Sequence, residues 1–414
     1  MASLHNTLGN EFKRIMEKTV PLDSPASTSY IQGTKIFQFQ IIRQCRVKTG
    51  KIVRERGENT MLFLSSREKT QWAGLSRDIM TRRLAPADFR DDVRANLLPM
   101  FQFYIGALLT ATGQNKLGKA WITSGTLIEE DGLFSNAYLT GFLQRHHDRL
   151  EMPEQVFADP RPYVHFTTVP IMQKSRARFL TQCGHTLPKI KHPFRLMDIG
   201  CGDGGLTAAL LKHLQATGKI EEIGEVLLVD PSPAMLALAK ETVGKTIPSS
   251  RITTLNHRIE QVAGKLNARC DMALCSLSYH HMPYEQKVIH LKELKPWIDH
   301  LVLFELDANN DFPELQTPEL AVSVYQSYGR LIDFVFAHDA PIEVAQACVD
   351  RFLMTEAVSL LTQQRGERND YHMLRTQWHE VFEQTLAPEF LCLCDSPCYA
   401  DEYFSLFTIH YGQG

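Results

Sequence analysis

The sequence predicts an α/β protein. Its C-terminal part is read as a mostly parallel sheet of seven strands with helices on both faces, and its N-terminal part as a mainly helical α+β region. Three observations predict this. From Phe194 onward, short apolar runs alternate with helical stretches. Those runs are nearly continuously apolar, as strands buried on both faces are. The first of them leads directly into "GCGDGG", residues 200–205, which has four glycines in six positions.

Taken in order, residues 1–155 form the N-terminal region and 160–414 the sheet domain. "VPLDSPASTS", 20–29, reads as a loop. Phe37, Phe39 and Ile41 then alternate with polar residues ahead of a Thr49-Gly50 turn, which predicts one or two strands. From Glu68 to about His147 the pattern is helical. Its most apolar stretch, "RANLLPMFQFYIGALLTATG", is interrupted by Pro99. An element that apolar must be buried against its own domain, against the sheet domain or against a second subunit. The region is therefore read as a packing or homodimerisation domain, or as a cap over a substrate pocket. "MPEQVFADPRP", 152–162, reads as a linker and "VPIMQKSRARFLTQC" as a helix.

The sheet domain follows. "FRLMDIG", "EVLLVD", "RITTLNH", "CDMALCSLS" and "HLVLFELD" read as five strands. "LTAALLKHLQ", "PAMLALAKETV", "IEQVAGKL" and "YEQKVIHLKELKPWI" read as the helices between them. "FLCLCDSP" and "YFSLFTIHYG" read as a terminal antiparallel pair.

Composition narrows the function. The chain has 414 residues, is 44% hydrophobic and 22% charged, and carries a formal net charge of -3. No basic field argues for nucleic acid. No run approaches the ~18 apolar residues of a membrane helix, and the N-terminus lacks a signal-peptide apolar core. Nine scattered cysteines fit reduced thiols, so a cytoplasmic location is expected. No metal is expected. Cys392-x-Cys394-x3-Cys398 lacks paired C-x2-C spacing, and a triad of His280, His281 and Glu305 carries no more weight.

The glycine stretch is the main functional signal. Backbone without side chains approaches a ligand closely, and the helix that follows offers unpaired N–H groups. The segment aligns with G-x-G-x-x-G as Gly200, Gly202 and Gly205, a weak dinucleotide match. It also reads D-x-G-x-G-x-G as Asp198, Gly200, Gly202 and Gly204. "LLVDPSPAML" places Asp230 at the end of the second strand, with Pro231 and Met235 after it. "SLSYHHMPYEQKVIHLKELKP", 276–296, follows the fourth.

These three motifs resemble those of the class I S-adenosylmethionine-dependent methyltransferases of the small-molecule type, whose fold is Rossmann-like. The resemblance covers about residues 165–311. It implies S-adenosyl-L-methionine as cofactor. It also implies that Asp198 orients the loop and the methionyl amine, and that Gly200, Cys201, Gly202 and Gly204 form the cradle. Asp230 would accept both ribose hydroxyls, which suits a carboxylate, with Pro231 and Met235 beside it. Arg258 and Ile259 stand where the family often has an acid for the adenine amine, so "NHRIEQ" departs from the pattern. Cys275 and Ser276 complete the cofactor set at the end of the fourth strand.

A neutral imidazole at His280 or His281 would suit a general base; the alternative is that one fixes the loop and the other packs in the wall. Tyr279 and Tyr284 are read as lining the same mouth. Glu305, Asp307 and Asn309 in "FELDANND" are read as holding a polar substrate. "SLSY" in place of an "NPPY"-type tetrad argues against amino-methylation of adenine or glutamine. The expected activity is methyl transfer to a small-molecule acceptor. The alternatives are a cyclase, lyase or alkyl transferase on the same cofactor, a non-catalytic binding protein, or an NAD-dependent oxidoreductase.

Overall fold

The computed structural model describes residues 62–90, 93–130, 132–153 and 159–414. The loop at 20–29 and the alternating pattern around Phe37 lie outside the described residues.

Among the described residues the chain begins with helices α1 (Ser66–Arg82), α2 (Leu98–Ala111), α3 (Asn115–Thr126) and α4 (Ser135–Arg145). Pro99 does not interrupt α2; it lies in the first turn, where its missing N–H is no loss. Every residue from Pro99 to Thr110 is buried, so α2 is a central helix. Trp72 of α1 meets Phe101 edge-on at 5.1 Å, and Phe101 meets Trp121 of α3 at 6.1 Å.

Helices α5 (Arg161–Thr168) and α6 (Pro170–Thr186) lead to the sheet. Its strands are β1 (Phe194–Ile199), β2 (Ile223–Val229), β3 (Ile252–Leu255), β4 (Cys270–Ser276), β5 (Ile298–Asp307), β6 (Phe390–Ala400) and β7 (Ser405–Gln413), in the order β3-β2-β1-β4-β5-β7-β6. The first five are parallel, and β7 runs antiparallel to both β5 and β6. Helices α7 (Gly205–Ala216), α8 (Pro233–Gly244) and α9 (Tyr284–Leu294) connect the strands. The helix expected at 259–266 is instead two 3-10 turns, Ile259–Gln261 and Ala263–Lys265. Ile259, Val262 and Ala263 are its buried residues.

Strand order reverses between β1 and β4, where ligands of open α/β sheets bind at the carboxyl edge. Met197, Ile199, Ala273, Cys275, Leu301 and Leu303 fill the layer behind that edge.

The sequence reading assigned no element between β5 and β6. That stretch forms α10 (Pro318–Ala337), α11 (Ile342–Cys348), α12 (Met354–Thr362) and α13 (Arg375–Thr385). Helix α10 binds the helical layer to the sheet. Phe103 of α2 meets Tyr325 at 5.4 Å, the Ser135 hydroxyl donates to the Tyr325 carbonyl, and the Phe134 N–H donates to the Gly329 carbonyl at 3.1 Å. A Cβ on Gly329 would lie 1.9 Å from the Ser135 hydroxyl, so the approach needs glycine. The described residues from Leu62 to Gly414 accordingly pack as one compact unit, so the helical layer and the sheet are not separate units.

Candidate functional site

The site starts where β1 ends. Gly200, Gly202 and Gly204 have φ of 75°, 53° and 71°, the left-handed region that glycine enters without strain. Close approach adds to this at Gly200, where a Cβ would lie 2.3 Å from the Ser278 Cβ. At Gly202 it would lie 2.7 Å from the Tyr163 hydroxyl. Tyr163 of α5 thus lies against the glycine loop, and burial pushes its hydroxyl up to about 12. Sequence reading missed it, because nothing in "RPYVHFTT" marks a residue that folds back over a distant loop.

Three carboxylates surround this loop. Asp198 is 2% exposed. Thr207 donates to its Oδ2, while its Oδ1 is buried with no hydrogen-bond partner. Burial chiefly pushes Asp198 up to about 7; the Thr207 bond opposes this, and the charges of Asp230 and Asp203 add to it. Asp230 accepts from the Gly202 N–H at 3.1 Å and the Ser232 N–H at 2.8 Å, which ties the first loop to the second. Burial raises Asp230 above its ordinary range against those two bonds. Asp203 accepts from the Gly205 N–H at 3.0 Å, at the start of α7. A dinucleotide would place its pyrophosphate at that helix N-terminus. Here a carboxylate stands there, with two more beside it. The loop repels phosphate and suits a cationic ligand, and the unpaired Oδ1 of Asp198 is an acceptor awaiting a donor.

The remaining cofactor candidates divide. Cys201 is buried beside Gly202, and burial holds its thiol well above its ordinary range. Met235 is buried and Pro231 exposed. The Asn256 amide donates to the carbonyls of Asp230 and Pro231 at 3.1 and 2.9 Å, fixing the β2 loop against β3; sequence reading missed this role. Arg258 is exposed and Ile259 buried. Cys275 lies in the apolar layer and Ser276 is half-buried at the end of β4.

Tyr279 is not at the mouth. It is buried in the apolar layer, its hydroxyl 2.8 Å from His290 Nδ1 and its ring 6.1 Å from Trp378. In the 3-10 turn Tyr279–His281 the Tyr279 side chain enters the apolar layer, while the His280 and His281 rings stay together at 4.2 Å. Tyr284 donates to Gln384 at the surface.

His281 Nδ1 lies 2.8 Å from the Asn369 carbonyl. A carbonyl only accepts, so Nδ1 carries the proton and Nε2 holds the lone pair. His281 keeps accessible surface, unlike His280. His280 Nδ1 sits 3.2 and 3.1 Å from the two Glu305 oxygens. Glu305 is 0% exposed and also accepts from the Ser278 N–H at 3.0 Å. Burial pushes Glu305 up, but His280 and His372 overcome it and hold the carboxyl well below its usual range. Glu305 thus faces a histidine cluster. Asp307 is not in a solvated turn: it accepts from the Arg375 N–H and the Ser405 hydroxyl. Asn309 has a buried, unpaired Oδ1. Asp307 and Asn309 line a cleft with Leu62, Phe63, Gln326 and Tyr403.

Residues 196–299 match the model of a methyltransferase domain family. The chain carries a class I S-adenosylmethionine-dependent methyltransferase domain. Its cofactor is S-adenosylmethionine, and the unpaired Asp198 oxygen and carboxylate-ringed glycine loop fit that cation. No curated protein matches the chain.

Among solved structures, SCL7 from Oryza sativa superposes with a TM-score of 0.52 at 13% identity, over 76% of this chain and 99% of that one. It shares the methyltransferase domain's fold. Magnesium protoporphyrin IX methyltransferase from Synechocystis PCC 6803 with bound S-adenosylmethionine gives a TM-score of 0.33 at 13% identity, over 58% of this chain and 79% of that one. An O-methyltransferase from neocarzinostatin biosynthesis gives 0.34 at 13% identity, over 78% and 75%. Among the described residues, no helix is long and apolar enough to cross a membrane.

Proposed function

We propose that the chain methylates a small-molecule acceptor, and that His281 takes the acceptor's proton. One arrangement carries this reading: an accessible imidazole whose Nδ1–H is committed to Asn369, which leaves Nε2 as a base beside the cofactor loops. When bound, S-adenosylmethionine supplies an electrophilic methyl on a sulfonium. The protein's own residues do the rest. Asp198 and Asp230 hold a cationic ligand at the glycine loop, and Ser278 locks that loop through its 2.6 Å bond to the Ile199 carbonyl. Positioning donor and acceptor in line can lower the barrier by roughly 7–11 kcal/mol.

The cleft beside Asp307 and Asn309 is the acceptor's entry in this reading, with Asn309 Oδ1 as its polar anchor. Residues 62–69 and α10 form its other walls, which gives the N-terminal region a capping role. A homodimer in the cytoplasm completes the proposal.

The experiment is incubation with methyl-labelled cofactor and a panel of phenols, amines, carboxylates and carbon acids, read by mass spectrometry. A methylated product is expected. His281→Ala should lower kcat on a hydroxyl acceptor by roughly 10²–10⁴-fold, the usual contribution of a positioned base. Unchanged turnover by that variant would remove His281 from the reaction.

A further inference from the structure

A buried cluster of carboxylates and imidazoles lies behind the glycine loop. His280 comes from the turn after β4, Glu305 from the end of β5, Glu356 from α12, and Asp370 and His372 from the segment before α13. All five are buried. One ligand atom each from His280, Glu305 and His372 lies within 4.8 Å of the others, and Glu356, Asp370 and His372 form a second such group.

Hydrogen bonding explains part of the cluster. The Tyr328 hydroxyl lies 2.9 Å from Glu356 and also against Asp370, with one proton to share between them, and the Asn310 amide donates to Asp370 at 3.2 Å. It does not explain His372. That ring is 3% exposed, and its Nδ1 lies 3.1 Å from Glu305 Oε2 without hydrogen-bond alignment. Its Nε2 is 3.7 Å from Asp370 Oδ1, too long for a bond. A buried imidazole nitrogen without a hydrogen-bond partner, as His372 Nδ1 is, is costly. Two ligand atoms each ~2.1 Å from one ion stand roughly 3.0–3.4 Å apart. The His280–Glu305 and His372–Glu305 separations, both 3.1 Å, fall in that range.

The fold also fixes the segment that carries His372. Lys287, fully buried, donates to Asp311 at 3.0 Å and to the Tyr371 carbonyl at 2.6 Å. Arg365 reaches Asp311 at 2.7 Å, and Arg368 donates to the Asn310 and Pro313 carbonyls. Buried ion pairs of this kind add little stability by themselves, but they fix geometry.

We propose that His280, Glu305 and His372 bind one divalent first-row transition-metal ion. Two imidazoles and a carboxylate suit zinc, iron(II) or cobalt(II) better than magnesium or calcium, which take oxygen-only sets. Asp370 accepts from the His372 backbone N–H at 2.9 Å, which fixes the residue that carries the second imidazole. No metal was expected from the sequence, because His372 lies far from the 280–305 stretch along the chain. The inference does not depend on the acceptor or on His281.

The test is titration of metal-stripped protein with Co2+ and, separately, Zn2+. One ion per chain and visible cobalt d–d bands are expected. His372→Gln and Glu305→Gln should each weaken Co2+ binding at least tenfold, while His372→Gln leaves affinity for S-adenosylhomocysteine within twofold. X-ray absorption on the zinc-loaded wild type should show two imidazoles in the first shell, a readout that needs no variant to fold. No binding of either ion, equal binding by both variants, or a first shell without imidazole would overturn the proposal. Lost cofactor binding in the wild type would count against the cofactor assignment alone.

Discussion

Lowering the pH should weaken cofactor binding through Asp198. Burial moves this carboxyl from 3.8 to about 7, which corresponds to roughly 4 kcal/mol of preference for the neutral form. The sign follows from the direction. The folded apo protein holds this proton more tightly than the unfolded chain, so the group's favourable contribution is complete below about pH 4. It is lost as pH rises to about 7. A cationic cofactor reverses the preference, because the ionised Asp198 attracts it and gives the unpaired Oδ1 a donor. At about pH 8 the carboxyl is mostly ionised before binding. At about pH 6 only about a tenth is, so affinity should fall by roughly tenfold, about 1.4 kcal/mol. Calorimetry in buffers of different ionisation enthalpy should register proton release approaching one per site near pH 6. Asp198→Asn should bind more weakly and lose this dependence. Equal affinity at both pH values, or the same dependence in the variant, would refute the assignment of Asp198 as the charged contact.

Other outcomes follow from the same geometry. Asp230→Ala should weaken cofactor binding by about 1.5–3 kcal/mol by calorimetry, the usual contribution of hydrogen bonds to a charged group. Gly200→Val should abolish binding while circular dichroism stays native, since its φ of 75° and the Ser278 Cβ both exclude a side chain. Tyr163→Ala should raise KM for the cofactor with kcat little changed, as expected of a residue that packs on the cradle and touches no reacting atom. Deleting residues 1–150 should abolish acceptor methylation and cause aggregation visible by light scattering, because it strips α2 and α4 from the buried face of α10.

The sheet was legible because buried parallel strands are continuously apolar, and three of the four expected connecting helices because they keep a helical period; the fourth, at 259–266, is two 3-10 turns. The carboxylates and glycines of the cofactor loops were legible because they are local in sequence. Three features were not. The helices between β5 and β6 form a long insertion with no motif, yet α10 makes the helical layer part of the sheet's own unit. Tyr163 and Asn256 act on loops far from them in sequence, so their roles appear only on folding. Tyr279, Glu305 and Asp307 carried the right chemistry in a suggestive place. The turn after β4 buries Tyr279, His280 and His372 claim Glu305, and Arg375 and Ser405 claim Asp307. Direction of the side chain, which spacing alone does not give, decided each case.

The most direct measurement is calorimetric titration of the wild-type chain and Gly200→Val with S-adenosylmethionine, S-adenosylhomocysteine and NAD. The carboxylate-ringed loop predicts low-micromolar, one-to-one binding of both sulfur ligands to the wild type, no binding of NAD, and no binding of any of the three to the variant. Binding of NAD without either sulfur ligand, or unchanged binding by Gly200→Val, would contradict the account.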